Sequence, residues 1–301
     1  MPLNLRGVFA PLPTTFDPAS GDVDPAAMAA NVTRLMSSKL AGVLALGSNG
    51  ETPMLDDDES DRIVEAVRAS VPRDRTFLVG AGKESTRGTI ASARRFAELG
   101  ADAVLVRPPF YYKAQMTADA LVAHFRATAD ASRVPVLLYN LPGTTGFTLT
   151  PPMVAALADH PNIIGLKETS PELERLGTFT TFGSGRFHVL SGWAPVLYPA
   201  IAAGAVGGIL AIANVLPDEC AKLCEAAAAG RHDDALARQR ELTPIAQLVS
   251  SIHSVAGLKH ALDLIGQHGG PVRPPLLALN DRARDEIAHA LAAFRAGTHA
   301  A

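Results

Sequence analysis

Short apolar runs alternate with longer stretches of helical period, and the alternation recurs eight times along the chain. The apolar runs are Gly7 to Pro13, Gly42 to Gly47, Thr76 to Gly80, Ala103 to Arg107, Val134 to Asn140, Ile163 to Lys167, His188 to Ser191 and Gly207 to Ile212. Most are near-continuous Val, Ile, Leu and Ala, the pattern of parallel strands covered on both faces. The helical stretches start at readable signals: Asp24 before Pro25, Asp56 with Glu59 as a capping box, Thr117, and Thr150 before Pro151. Gly100 stands where a helix ending in Ala97-Glu98-Leu99 would need its C′ glycine. Eight such units in about 215 residues predict an α/β fold, a closed (β/α)8 TIM barrel, with an open doubly wound sheet as the rival.

After Leu216 the strand pattern stops. Helical periodicity continues at Pro217 to Ala229, Asp233 to Ser251, Gly257 to Ile265 and Asp281 to Phe294. The chain therefore divides into a barrel catalytic domain, 1–216, and a C-terminal helical extension, 217–301. A length of 301 residues with 48% hydrophobic content supports one large core. With 27 basic against 30 acidic residues, the net charge of −3 gives no footprint for nucleic acid or an anionic membrane. Small molecules and further copies of the chain are the expected partners. Cys220 and Cys224 sit one helical turn apart and read as packing residues; so few cysteines fit a reducing cytoplasm. Met1 to Gly7 lacks the basic-then-apolar pattern of a leader, and no uncharged apolar run reaches spanning length.

Barrels of this kind carry catalytic groups at the C-terminal ends of their strands. That rule selects Ser48 and Asn49, Tyr111 and Tyr112, Tyr139 and Asn140, Lys167 and Glu168, and Ser191. Lys167 ends the apolar run Ile163-Ile164-Gly165-Leu166, where burial would favour the neutral amine that attacks a ketone. The alternative is a structural lysine paired with Glu168 or another carboxylate at the barrel rim. Tyr139 ends Val136-Leu137-Leu138 one strand earlier and can move protons beside that amine, or else simply cap the core with its hydroxyl in water. Gly47-Ser48-Asn49-Gly50-Glu51 is a small-residue turn whose amides and Ser48 hydroxyl suit a carboxylate, although an ordinary strand-to-helix turn has the same composition. Gly80-Ala81-Gly82-Lys83-Glu84-Ser85 resembles a phosphate loop but has Phe77 for the first glycine and Glu84 after the lysine, so it is discarded. The nine histidines form no metal-binding motif, and neither a metal nor an organic cofactor is expected.

Together these residues resemble the family of dihydrodipicolinate synthase and N-acetylneuraminate lyase over nearly the whole chain. The likeness rests on Gly47 to Glu51, Pro109-Phe110-Tyr111-Tyr112, Tyr139-Asn140-Leu141-Pro142-Gly143-Thr144-Thr145-Gly146 and Gly165-Leu166-Lys167-Glu168. It implies that Lys167 is the Schiff-base lysine and Tyr139 the proton shuttle. It also implies that Gly47, Ser48 and Asn49 bind the carboxylate of pyruvate, with Ile209 on strand eight completing the substrate-binding set. A homotetramer is implied too, with Tyr112, or Tyr111 beside it, entering a neighbouring subunit's site.

Two departures bear on the substrate. Ser48-Asn49 replaces the Thr-Thr usual in dihydrodipicolinate synthases, and Thr144 stands where they carry a carboxylate-binding arginine. Ser48-Asn49, Gly82 to Thr86, Ala211 to Leu216, Gly257-Leu258-Lys259 and Gly269 to Arg273 are similar to 4-hydroxy-2-oxoglutarate aldolases. The expected reaction is therefore cleavage of 4-hydroxy-2-oxoglutarate to pyruvate and glyoxylate. Synthesis of 4-hydroxy-tetrahydrodipicolinate, cleavage or dehydration of a sugar-derived 2-keto-3-deoxy acid, and a silent 2-oxo-acid sensor remain open alternatives.

Overall fold

The computed structural model describes residues 3–298; residues 1–2 and 299–301, at the outer ends of the two sequence-defined segments, lie outside it. Eight parallel strands, β1 (Gly7–Pro11), β2 (Gly42–Ala45), β3 (Thr76–Gly80), β4 (Ala103–Val106), β5 (Val136–Asn140), β6 (Ile163–Glu168), β7 (His188–Ser191) and β8 (Gly207–Ile209), pair in chain order. The pairing of β8 with β1 closes the barrel and excludes the open sheet. Alternation along each strand sorts the apolar residues into two clusters. Phe9, Leu44, Leu78, Leu105, Leu137, Tyr139, Leu190 and Ile209 fill the barrel interior. Val8, Val43, Val79, Val104 and Leu138 face the helices instead.

The strands end earlier than the apolar runs do, for local reasons. β1 stops at Pro11 rather than Pro13, because proline offers no N–H to the ladder. β2 stops at Ala45 rather than Gly47, because Leu46 turns left-handed at φ 53°. Pro108 and Pro109 follow β4, Pro135 precedes β5, and β8 gives way to a 3₁₀ turn at Ala211–Asn214. β6 runs one residue further than predicted, to Glu168. Helix starts behave as the sequence suggests at Asp24, Asp56 and Thr117, each of which caps through its side chain. Thr150 makes no such bond, and Pro151, with its preset φ, opens that helix. Gly100 is left-handed at φ +96°.

Beyond β8 come helices Pro217–Ala228, His232–Gln247, Ser254–Leu264 and Asp281–Thr298. The second was predicted to reach Ser251; it ends at Gln247 in a π turn, Leu248–Ile252, shortly after Pro244 removes a backbone donor. One apolar cluster, from Val8 to Leu291, runs across residue 216 without a break, so the extension packs directly on the barrel. Cys220 and Cys224 are buried within it, and burial raises both thiols, Cys224 to about 11. No helix among the described residues is long and apolar enough to cross a membrane.

Candidate active site

Register brings the chemistry together. Tyr139 on β5 pairs with Lys167 on β6, one step before Asn140 pairs with Glu168. Alternation then turns the two pairs to opposite sides of the sheet. Tyr139 belongs to the barrel-interior cluster, and Lys167 Nζ lies 3.2 Å from its hydroxyl. Asn140 and Glu168 look the other way: Asn140 Nδ2 donates to Glu168 Oε2 at 2.7 Å, and Arg175 donates to Glu168 Oε1 at 3.2 Å. Glu168 is thus occupied elsewhere, and the alternative of a structural Lys167–Glu168 pair falls away. Lys167 is only 4% exposed. The Tyr139 hydroxyl also lies 3.4 Å from Ser48 Oγ, so it is held by protein groups rather than left to bulk water.

The lysine needs room that only glycine provides. A Cβ on Gly192, just after β7, would stand 1.9 Å from Thr169 Oγ1 and 2.9 Å from Lys167 Cε. Sequence reasoning stopped at Ser191, one residue short. Ser191 itself is buried and turns its hydroxyl to the Trp193 carbonyl.

The glycine-rich turn is a 3₁₀ turn, Ser48–Gly50, framed by left-handed Leu46 (φ 53°) and Glu51 (φ 52°). Non-glycine residues adopt that conformation only when their surroundings enforce it. Thr14 donates to the Gly50 carbonyl at 2.7 Å and Thr52 to that of Gly47 at 2.8 Å. Glu51 is anchored from the C-terminal extension: Lys259 Nζ lies 2.6 Å from Oε1, and the Arg273 amide donates to Oε2 at 2.8 Å. Arg273 also grips Glu59 through both terminal nitrogens at 2.6 Å, holding that carboxyl below its ordinary range. This anchoring explains physically why the Gly257-Leu258-Lys259 and Gly269 to Arg273 segments accompany the turn.

A cavity of about 250 Å³ opens beside the turn and Tyr139, and Lys167, in contact with the Tyr139 hydroxyl, is itself outside the lining. The cavity lies at the C-terminal end of the strands, where the fold keeps its sites. Gly47, Ser48, Tyr139 and Thr144 line it, as do Arg107 and, from the extension, Val255. The size is at the small end for ligand sites and suits a metabolite of a few carbons, not a nucleotide. Asn49 stands in the turn, half-buried and outside the lining. Ile209 is 1% exposed in the barrel interior and also outside the lining. Tyr111 and Tyr112 are 74% and 67% exposed on the loop after β4, their rings edge to face at 5.1 Å. Neither tyrosine reaches the cavity of its own chain. The discarded phosphate-loop segment has its Lys83 paired with Asp57 at 2.7 Å. At β8 the backbones pack closely, since a Cβ on Gly207 would fall 1.8 Å from the Gly7 carbonyl.

A buried lysine beside a tyrosine hydroxyl, at the mouth of a closed parallel barrel, is the arrangement of a class I Schiff-base lyase. Residues 4–294 match the dihydrodipicolinate synthetase family, and this chain belongs to it. It is 38% identical to a 4-hydroxy-tetrahydrodipicolinate synthase of Xanthomonas campestris over 257 residues, 85% of this chain and 82% of the relative. It is 36% identical to an uncharacterized DapA-like lyase of Halobacterium salinarum over 280 residues, 93% and 91% of the two chains. Among solved structures, it superposes with a TM-score of 0.90 on YagE of Escherichia coli K12, a family member in complex with pyruvate, at 29% identity over 97% and 99% of the two chains.

Proposed function

We propose that Lys167 forms a Schiff base with pyruvate and that the resulting enamine is joined to, or released from, an aldehyde. The observation that carries this reading is the chain of contacts from Lys167 through Tyr139 to Ser48, at 3.2 and 3.4 Å. The lysine nitrogen adds to C2 of pyruvate. Tyr139 passes a proton to the departing oxygen as water, leaving an iminium, and loss of a C3 proton gives the enamine. Ser48 links Tyr139 to the cavity, and its hydroxyl, with the free leading amides of the turn, holds the pyruvate carboxylate in the orientation addition requires. In cleavage, Lys167 instead forms the iminium with the longer 2-oxo acid; as a base takes the C4 hydroxyl proton, the C3–C4 bond breaks, the aldehyde leaves, and the iminium takes the electron pair to become the pyruvate enamine.

The acceptor distinguishes two readings. The names of the similar relatives support aspartate semialdehyde and the synthesis of 4-hydroxy-tetrahydrodipicolinate, more than they support the cleavage expected from the sequence motifs. The Ser48-Asn49 turn, with Ser48 in the cavity lining, supports the second reading, 4-hydroxy-2-oxoglutarate with glyoxylate as the other product. A homotetramer with Tyr112 or Tyr111 lent to a neighbour's site would suit the exposure of both rings.

The test is borohydride reduction with pyruvate, followed by intact mass and peptide mapping. An adduct on Lys167, slowed about 10²- to 10⁴-fold in Tyr139→Phe, is the expected result. A folded wild-type protein that gives no adduct would end the proposal. Aspartate semialdehyde and glyoxylate, offered in turn to the pyruvate-loaded enzyme, then choose between the acceptors.

A further inference from the structure

Arg107 carries the one positive charge among the described side chains that line the cavity. It follows β4 directly and lies against Gly82 on the neighbouring loop, where a Cβ would come within 2.6 Å of Arg107 Cγ. The guanidinium is therefore seated in a place cleared for it, over the Phe110 ring at 4.6 Å. Only one of its nitrogens is committed: Nη1 donates to Glu84 Oε1 at 2.8 Å and to the Pro108 carbonyl at 3.2 Å. The Nε–Nη2 edge, the side that takes a carboxylate in two parallel bonds, has no partner among the described residues.

Glu84 does not cancel this cation. Its carboxylate is shared with the amides of Phe110 and Tyr111, each donating at 2.9 Å to Oε2. Burial pushes Glu84 up, but those two amides and Arg107 outweigh it and hold the carboxyl below its ordinary range, so it works as a fixed anchor. Nearby His124 adds no competing charge near neutrality: burial first, and Arg107 second, bring it down to about 4.

We propose that Arg107 binds a carboxylate on the aldehyde half of the substrate, and so selects acceptors that carry their own negative charge. This rests on the pyruvate Schiff-base reading above. The glycine-rich turn takes the pyruvate carboxylate; Arg107, lining the same cavity as Thr144, takes the second from the β4 side. The neutral Thr144 then costs no anion recognition, because the cation has moved to a neighbouring strand. A neutral aldehyde would leave the guanidinium edge desolvated without a partner, which is what makes the site selective.

The experiment compares kcat/KM for a carboxylate-bearing aldehyde, glyoxylate or aspartate semialdehyde, with that for a neutral aldehyde of matched length, at saturating pyruvate. Arg107→Met is expected to lower the ratio about 10- to 150-fold, the weight of a charge-assisted hydrogen bond. Arg107→Lys, which keeps the charge without the two-pronged geometry, should fall in between and guards against a misfolded Met variant. Equal losses for both aldehydes, or no change in the ratio, would reduce Arg107 to an ion-pair partner of Glu84 and overturn the proposal. The wild-type borohydride adduct judges the pyruvate reading separately, since it involves no aldehyde.

Discussion

Replacing Lys259 with Met should destabilise the protein by about 3–5 kcal/mol, the cost of stripping the partner from a buried charge. The side chains of Lys259 and Glu51 are each 1% exposed, with Nζ 2.6 Å from Oε1. Lys259 also donates to the Pro271 carbonyl at 2.6 Å and lies 4.4 Å from the Phe16 ring centre. Burial pulls its amine below the ordinary lysine range, and Glu51 opposes that shift. Met fills the same volume and leaves the Glu51 carboxylate with the Arg273 amide as its hydrogen-bond donor and only the more distant Arg273 guanidinium as a cation. A loss of this size is a large share of a typical folding free energy, about 5–15 kcal/mol, and lowers Tm by roughly 2–4 °C per kcal/mol. The assay is urea unfolding followed by fluorescence, paired with the pyruvate concentration needed for half-maximal trapping. That concentration should rise, because Glu51 closes the turn that carries Ser48. Removing both charges in Glu51→Gln/Lys259→Met should recover at least half of the lost stability, since no lone charge is then buried. A single variant within 1 kcal/mol of wild type, or a double variant no better than the single, would refute this account.

Gly192→Ala should abolish pyruvate trapping while the chain stays folded, because the new methyl would overlap Thr169 and displace the Lys167 side chain; unaltered trapping would show that the lysine does not depend on that space. His124, brought down to about 4 in the folded protein by burial first and Arg107 next, should make the protein acid-sensitive. Between pH 6.5 and about 4 the unfolded chain takes up the proton that the folded one refuses, so this contribution, at most about 3 kcal/mol, is complete above pH 6.5 and lost as pH falls. His124→Asn should flatten that part of the stability profile, and an unchanged slope would remove His124 as its source.

Much of this protein was legible along the chain. Parallel strands buried on both faces must be continuous apolar runs, so eight of them were countable, and prolines and capping residues marked where elements begin. Lys167 and Tyr139 stood out because a polar group ending such a run breaks the local pattern. What followed them did not stand out. Asn140 and Glu168 had the same claim by position as Tyr139 and Lys167, and only the side-chain alternation of a closed barrel turns one pair inward and the other toward the helices. Arg107 read as the tail of a strand, and Gly192 as one more loop glycine; their meaning lies in distances to Gly82, Glu84, Thr169 and Lys167, residues far apart in sequence. Lys259 and Arg273 belonged to what looked like a separate extension, yet they hold the turn that frames the site. Periodicity is a property of neighbours in the chain, so the sequence by itself determined the elements and the fold class. Charge partners, close approaches and the walls of a cavity are properties of neighbours in space, and those only the closed barrel with its packed extension could decide.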